Sequence, residues 1–451
     1  MTDAPRTLAV VGLGKLGSPM VACFAAKGFD VIGVDLDEAK VAAVAEGRAP
    51  VFEPQLDELL AANRAHIRAT TDVTAAVREA EMTFIIVATP SGDDGTFSLR
   101  YVLPVCESIG LALRDKEGYH TVVLTSTVMP GATGSEVQAA LEQASGKRCG
   151  EDFGLCYSPE FIALGSVIRD FLNPDFLLVG ESDPRAGDAL SEIYARVIDN
   201  GAPVARMNFV NAELAKISVN TFVTTKIAFA NMLARICERL PSSDVDVVTS
   251  ALGMDTRIGP KYLRGAISYG GPCFPRDNVA FAALARDIGA PAFVAEATDR
   301  LNRDGIARLA ALVHDHLPRD GTAAVLGLAY KPETDVTEEA PGLLLAKMLA
   351  EADVSVVVHD PAALANAKRV LGDSVAYSAS AVDAVQVADV VVLTTAWSEF
   401  AALEASVFER EGSRRVVIDC WRMLDAPSFE AATRYLVLGS GSLAQRATVT
   451  D

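Results

Sequence analysis

Short apolar runs alternate with amphipathic segments through the first two hundred residues. The runs Thr7–Val11 and Asp30–Val34 predict buried strands, and residues 18–27 between them predict a helix. Further strands are predicted at residues 82–88, 121–124 and 176–179. Strands that alternate with helices in this way favour a parallel, doubly wound sheet.

Helical periodicity replaces this alternation in the middle of the chain. Residues 211–240 and 291–317 predict long amphipathic helices, with a glycine-rich stretch at 268–272 between them. The alternation then returns, and strands are predicted at 323–328, 355–358, 390–394 and 415–418. We therefore expect an α/β domain over 1–205, a helical central domain over 206–305, a second α/β domain over 306–440 and a disordered tail over 441–451.

The composition excludes several classes of protein. Half of the 451 residues are hydrophobic, yet no apolar run approaches the ~18 residues that a membrane-spanning helix needs. The net charge of −19 disfavours binding to nucleic acid or to an anionic membrane. The N-terminus lacks the pattern of a signal peptide, so we expect a soluble, cytoplasmic protein.

Seven cysteines and five histidines offer little for disulfides or metals. The cysteine count is odd and no C-x-x-C pair occurs, so we expect no disulfide framework and no metal site. Cys273 stands apart because it lies in the stretch Tyr-Gly-Gly-Pro-Cys-Phe-Pro-Arg-Asp, three residues before Arg276. A nearby cation favours the nucleophilic thiolate.

A glycine fingerprint follows the first predicted strand and opens the first helix. Gly12 permits a tight turn, Gly14 lets the backbone approach a pyrophosphate, and Gly17 allows the helix to pack closely on the strand. Asp35 ends the next strand, where an acid accepts hydrogen bonds from a ribose and repels a 2′-phosphate. The pattern predicts a Rossmann-like NAD site, to which we also assign Leu16, Thr89 and Thr127.

Six ordered blocks of sequence resemble the nucleotide-sugar 6-dehydrogenase family, which oxidises UDP-glucose, GDP-mannose and UDP-N-acetylhexosamines. The resemblance runs from Thr7 to about Leu424. The blocks are residues 12–17, 126–131, 158–161, 211–231, 270–277 and 326–332. The resemblance implies two Rossmann-like domains joined by a helical central domain that carries the catalytic cysteine and the dimer contacts, with a nucleotide-sugar site in the last domain.

The resemblance also implies a four-electron oxidation of the sugar C6 alcohol to a carboxylate. Cys273 would form a thiohemiacetal and then a thioester. Glu160 would act as general base on a water that Thr127 orders, and Lys216 would stabilise the oxyanion.

The remaining site assignments also come from the resemblance. Asn220 lies four residues after Lys216, hence on the same helical face, and Asp277 is expected to partner the water or the lysine. The expected substrate-binding residues are Phe161, Ile162, Ala163, Lys216, Asn220, Arg257, Tyr269, Gly270, Lys331 and Arg422. A homodimer or higher homo-oligomer is expected, with Arg257 reaching the neighbour's substrate.

Several positions depart from the usual family pattern and leave the substrate open. Residues 162–165 read Ile-Ala-Leu-Gly where an Arg-Glu pair is usual, Arg276 replaces a lysine, and Trp421 stands where an arginine is expected. Residues 256–259 favour a UDP-hexose over GDP-mannose. The alternatives are a GDP-mannose 6-dehydrogenase, a two-electron hydroxyacid-type dehydrogenase, and a catalytically inactive binding subunit.

Overall fold

The computed structural model describes residues 7–441, which contain two β-sheets and, between them in the sequence, a run of helices. The first sheet has the strand order β3-β2-β1-β4-β5-β6-β7-β8. Its strands are β1 Thr7–Val11, β2 Asp30–Val34, β3 Ile67–Thr70, β4 Met82–Ile85, β5 Thr121–Leu124, β6 Gly154–Tyr157, β7 Leu177–Glu181 and β8 Val204–Met207. The order around β1 and β4 is that of a doubly wound nucleotide-binding sheet.

Helices cover both faces of this sheet. They are α1 Gly17–Ala26, α2 Glu38–Ala45, α3 Leu56–Ala62, α4 Val73–Glu79, α5 Val102–Arg114, α6 Gln138–Ser145, α7 Val167–Leu172 and α8 Pro184–Val197. Strands β4, β5 and β6 are buried along their whole length, as expected for parallel strands with helices on both faces. One core packs around Phe24 and Phe84, and a second around Val122 and Leu141.

The second sheet has six parallel strands in the order β11-β10-β9-β12-β13-β14. They are β9 Thr322–Leu326, β10 Ser355–His359, β11 Ala376–Tyr377, β12 Val390–Leu393, β13 Val416–Asp419 and β14 Arg434–Val437. Its helices are α13 Pro341–Glu351, α14 Leu364–Leu371, α15 Ala381–Val387, α16 Ser398–Ala401 and α17 Ala426–Ala432. The first and second sheets therefore share one order about their first strand, and the predicted fold class is confirmed.

Four helices lie between the two sheets in the sequence. They are α9 Phe209–Cys237, α10 Val245–Gly253, α11 Phe274–Asp287 and α12 Phe293–His314. The chain packs as two compact units, Met1–Ser218 and Val219–Asp451, so that α9 contributes residues to both. The domain boundary predicted at 305 falls inside α12, the helix that the sequence predicts over 291–317.

Some elements differ from the sequence prediction. Strand β7, predicted as part of a parallel sheet, pairs antiparallel with β6, a strand that the sequence analysis missed. Gly441, the first residue of the predicted disordered tail, is hydrogen bonded through its N to Ser243 O (2.9 Å), and Gly439 N just before it donates to Glu238 Oε1 (2.8 Å). The rest of the predicted tail, 442–451, lies outside the described residues.

Candidate active site

The glycine fingerprint forms a tight turn between β1 and α1. Gly12 has φ +108°, and a Cβ there would lie 2.4 Å from Ile86 O. A Cβ on Gly17 would lie 1.8 Å from Gly12 O, so the helix can pack on the turn only with glycine at that position. A Cβ on Gly14 would meet nothing within 4 Å. That open space beside backbone amides at the start of a helix is what a pyrophosphate requires.

The Asp35 carboxylate is fixed at the end of β2. Its Oδ2 accepts from Leu13 N (2.8 Å) and its Oδ1 accepts from Asp37 N (2.9 Å), while Lys40 Nζ lies 3.6 Å from Oδ2. A carboxylate held beside the glycine turn suits the hydroxyls of a ribose and repels a phosphate on them. The residues present therefore fit NAD.

Two further residues assigned to the cofactor site are joined by a hydrogen bond. Thr89 Oγ1 donates to Thr127 O (2.7 Å), and these residues follow β4 and β5, whose carboxyl ends share the sheet edge with β1. Leu16 is the N-cap residue of α1. The structure thus gathers the predicted cofactor residues at the switch point of the sheet, where ligands of such folds bind.

Glu160 lies just beyond β6, and its carboxyl oxygen Oε1 is buried without a hydrogen-bond partner among the described residues. Burial raises the pKa of this carboxyl from 4.5 to about 7, and the charge of Lys216 opposes the rise. Lys216 Nζ donates to the main-chain oxygen of Glu160 (2.6 Å) and lies 4.5 Å from the centre of the Phe161 ring. A carboxyl that titrates near neutral pH is suited to general base catalysis.

Two glutamates that the sequence analysis missed hold the loops of this unit. Glu53 accepts from Gly165 N and Val167 N (both 2.8 Å) and so anchors the segment after Phe161, Ile162 and Ala163. Glu213, one helical turn before Lys216, accepts from Gly131 N (2.6 Å) and Thr133 N (2.8 Å) in the loop after Thr127. No short-range pattern reveals them, because each acts on residues about 80 or more positions away.

In the second unit, Cys273 is the N-cap residue of α11 and the one exposed cysteine of the seven. The N-terminal end of a helix favours negative charge and hence a thiolate. Burial raises the pKa of Cys23 and Cys106 to about 12 and that of Cys149 to about 11, and also raises the pKa of Cys156 and Cys420. Cys273 is therefore the thiol best placed to react.

Asn220 and Asp277 tie helix α9 to helix α11. Asn220 Nδ2 donates to Asp277 Oδ2 (2.6 Å), and Arg276 Nε lies 3.6 Å from Asp277 Oδ1. The next residue of α11, Asn278, donates through Nδ2 to Thr224 Oγ1, one turn after Asn220 on α9, and to Tyr269 Oη (both 2.8 Å). Tyr269, which is predicted to bind substrate, is therefore hydrogen bonded to helix α11.

Three other residues of this unit that are predicted to bind substrate, Gly270, Lys331 and Arg257, differ in how closely other residues surround them. A Cβ on Gly270 would lie 2.2 Å from Glu339 O, so the backbone is closely packed there. The Lys331 ammonium lies 5.9 Å from the centre of the Tyr330 ring, and Arg257 is largely exposed and paired with Asp255 (2.5 Å).

Arg422, which the sequence assigns to the substrate site, is hydrogen bonded to residues of the second unit. Its guanidinium pairs with Asp244 (2.8 Å) and Asp246 (3.1 Å) and donates to Leu438 O (2.8 and 3.1 Å). These acceptors hold the guanidinium within the second unit, and the assignment of Arg422 to the substrate site stays a prediction.

The fold and the cofactor turn define an NAD-dependent oxidoreductase. Within residues 7–441, no three His, Cys, Asp or Glu side chains come together in a way that could hold a metal ion. In the same part of the chain, each helix is too short or too polar to cross a membrane.

The chain belongs to the UDP-glucose/GDP-mannose dehydrogenase family. Residues 6–198 match the NAD binding domain of that family, 210–304 its central domain and 324–426 its UDP binding domain. It is thus an NAD-dependent nucleotide-sugar 6-dehydrogenase, which confirms the resemblance seen in the sequence.

Curated relatives match most of the chain. UDP-glucose 6-dehydrogenase AglM of Haloferax volcanii is 37% identical over 92% of this chain and 97% of its own length. GDP-mannose 6-dehydrogenase of Azotobacter vinelandii is 36% identical, over 76% of this chain and 78% of its own length. The solved structure of a UDP-glucose dehydrogenase from Pyrobaculum islandicum is 34% identical with a TM-score of 0.87, covering 96% of this chain and 97% of its own.

Proposed function

We propose that the protein oxidises the C6 alcohol of a UDP-hexose, either UDP-glucose or a UDP-N-acetylhexosamine, to the uronic acid through a thioester on Cys273. The observation that carries the proposal is the single exposed thiol at the start of α11. The UDP preference is supported by relatives named UDP-glucose 6-dehydrogenase that span more than nine tenths of the chain.

The proposed reaction has three stages. The alcohol loses a hydride and a proton to become an aldehyde, and the Cys273 sulfur adds to the aldehyde carbon to give a thiohemiacetal. The thiohemiacetal loses a second hydride and proton, which leaves a thioester. Water then breaks the carbon–sulfur bond and releases the acid and the thiol. NAD, when bound, accepts one hydride in each oxidation.

The residues of the first unit are assigned to charge and proton handling. Glu160, whose pKa of about 7 lets it lose its proton at neutral pH, would take a proton from the hydrolytic water. Thr127 would order that water, and the Lys216 ammonium would stabilise negative charge on the sugar oxygen. In the second unit, Asp277 and Asn220 would orient each other through their 2.6 Å hydrogen bond.

A GDP-mannose 6-dehydrogenase is the second candidate, because the Azotobacter vinelandii enzyme of that name is nearly as similar over three quarters of the chain. NADH release measured across UDP-glucose, UDP-N-acetylhexosamines and GDP-mannose decides between them. Two NADH per sugar are expected. One NADH per sugar would instead support a two-electron dehydrogenase.

Variants of the two chemical residues test the covalent mechanism. Cys273→Ser is expected to bind NAD normally, since the fingerprint lies in the first unit, and to lose acid production by orders of magnitude. Glu160→Gln should form the thioester but hydrolyse it slowly, so intact-protein mass spectrometry with NAD and substrate should find an adduct on Cys273.

Cys149→Ser is the matched control, because Cys149 is half-buried and lies in the first unit. It should retain parental turnover. Near-parental acid production by Cys273→Ser would disprove the covalent mechanism, whatever the sugar.

We also propose that the protein is a homodimer or a higher homo-oligomer. Helix α9 leaves apolar side chains exposed at intervals of seven, three and four residues, which place them on one face. They are Phe222, Phe229, Met232 and Ile236. In an oligomer of this kind, the exposed Arg257 would be available to the neighbour's substrate.

A further inference from the structure

The segment that leads to Cys273 has an unusual hydrogen-bonding environment. Residues 266–271 lie outside both sheets, yet five of these six residues are buried, and buried main-chain polar groups need hydrogen-bond partners. Side chains from two helices supply several of these partners.

Asn231 of α9 holds the beginning of the segment. Its Nδ2 donates to Ile267 O (3.0 Å), and its Oδ1 accepts from Ala266 N (2.9 Å). The side-chain amide of Asn231 thus supplies a donor and an acceptor of the kind that a neighbouring strand would supply in a sheet.

Asn302 of α12 repeats the arrangement closer to the thiol. Its Nδ2 donates to Tyr269 O (2.9 Å), and its Oδ1 accepts from Tyr269 N (2.8 Å). Ser268 Oγ also donates to the main-chain oxygen of Asn302 (2.6 Å). Three hydrogen bonds therefore join one residue of α12 to the two residues before Gly270.

Close packing fixes the same segment. A Cβ on Gly305, one turn after Asn302, would lie 2.2 Å from Ser268 Oγ, and one on Gly271 would lie 2.7 Å from the Tyr330 ring. Gly271 N also donates to Glu338 O (2.9 Å). Cys273 follows Gly271 by only two residues, so the backbone has little conformational freedom between this fixed segment and the thiol.

We propose that Asn302 is a positioning residue for Cys273, acting through Tyr269 with Asn231 as a second anchor. This inference rests on the proposed function, in which Cys273 attacks the aldehyde. Addition of a thiolate to an aldehyde carbon needs a defined direction of approach, and a shift of about 1 Å can cost a reaction roughly a hundredfold in rate.

Asn302→Ala is the direct test. We expect kcat to fall roughly tenfold to a hundredfold, with the Kd for NAD unchanged because the fingerprint lies in the first unit. A second measurement is the rate at which iodoacetamide alkylates Cys273 in the substrate-free protein, followed by mass spectrometry at a series of pH values. The pH at which this rate rises should be higher in the variant, because the thiol leaves its place at the start of α11.

Asn366→Ala provides a matched control. Asn366 is also half-buried in the second unit, and its Nδ2 donates to a main-chain oxygen, that of Asp335 (2.8 Å). This variant should lower the thermal midpoint as Asn302→Ala does, while its kcat and its alkylation profile stay parental.

Gly305→Ala is a second variant that keeps both asparagines. Alanine favours a helix more than glycine does, so the substitution should not destabilise helix α12. The new methyl group should, however, displace the Ser268 side chain. We expect a lower kcat and a shifted alkylation profile. This variant decides the question if Asn302→Ala does not fold.

The inference is overturned if both variants keep the parental alkylation profile, even with a lower kcat, because the thiol would then not have moved. It is also overturned if kcat stays parental. Failure of the proposed function gives a different result: Cys273→Ser would then remain active, while the alkylation measurement, made without substrate, would still report the position of the thiol.

Discussion

At the scale of a single residue, Glu160, our proposed general base, lowers the stability of the fold when it is charged. Its carboxyl has a pKa of about 7 in the folded chain against 4.5 as the ordinary value, because burial disfavours the charged form. The folded state therefore binds the proton more tightly than the unfolded state. Stability falls as pH rises from about 4.5 to about 7, and the loss is complete above that pH.

Glu160→Gln should consequently stabilise the protein at pH 8. Removing the buried charge is expected to raise the free energy of unfolding by about 1–3 kcal/mol at pH 8 and to change it little at pH 4.5. Thermal melts of parent and variant across pH check this. Glu117→Gln, at an exposed glutamate, should leave the curve unchanged, and an equal effect of Glu160→Gln at both pH values would contradict the assigned cause.

Sequence reasoning identified the residues that we propose to carry the chemistry, but not the residues that hold the loops around them. Cys273 and Glu160 lie in short motifs, so their neighbours in the chain identify them. Asn302 and Glu213 contact loops that are distant in sequence, and nothing beside them marks that contact. The raised pKa of Glu160 could not be predicted from the sequence either, because it depends on the burial of the carboxyl in the folded chain.

At the scale of elements, the turn from β1 to α1 needs glycine for two different reasons: close packing of the helix at Gly17 and space for the cofactor at Gly14. Gly17→Ala should destabilise the fold, because its Cβ would lie 1.8 Å from Gly12 O. Gly14→Ala should fold normally, because its Cβ would meet no protein atom within 4 Å, but should bind NAD at least about tenfold more weakly by occupying the pyrophosphate space.

Thermal midpoints and NAD titrations of the two glycine variants check this separation. The exposed helix-cap position Gly28, with φ +82° and open space around it, offers Gly28→Ala as a control that strains the backbone without touching the cofactor turn. Unchanged NAD affinity in Gly14→Ala would remove Gly14 from the cofactor site.

The second sheet repeats this turn with a different outcome. Gly327 has φ +108°, as Gly12 does, and a Cβ on Gly342 of α13 would lie 1.9 Å from Gly327 O. Asp360 follows β10 as Asp35 follows β2, but it is buried and accepts from Leu328 N (2.7 Å) and Ala329 N (2.9 Å). The acid of the second sheet is therefore used inside the protein and is not offered to a ribose.

The strength of each strand's pattern decided which strands were predicted. Strands β1, β5 and β12 are continuous apolar runs and were placed within a residue of their bounds. Strand β8, Val-Ala-Arg-Met, is only partly buried, and β3 carries an arginine, so neither presents a continuous run. Such short edge strands are defined by their neighbours in the sheet and not by their own composition.

At the scale of the whole molecule, the exposed face of α9 leads to a prediction about assembly. Phe222 is 67% exposed and Phe229 47% exposed in the single chain, which is costly for two phenylalanines on one helix face. Phe222→Asp should lower the mass in solution at micromolar concentration toward that of a monomer, as measured by light scattering, because a buried unpaired charge disfavours association.

Val387→Asp is the control for the assembly experiment, since Val387 is similarly exposed at 62% but lies at the end of α15. It should leave the mass unchanged. A parental protein that is monomeric and fully active at micromolar concentration would contradict the proposed oligomer.

The position of Cys273 has a consequence for the conditions under which the protein can work. A thiolate that is open enough to attack an aldehyde is equally open to peroxide, which converts it to a sulfenic acid that no longer adds to a carbonyl. Five of the other six cysteines are buried and Cys149 is half-buried, so an external thiol would have to regenerate the reduced form. In the proposed reaction, synthesis of the uronic acid is thereby coupled to the reducing capacity of the surroundings through the sulfur atom of Cys273.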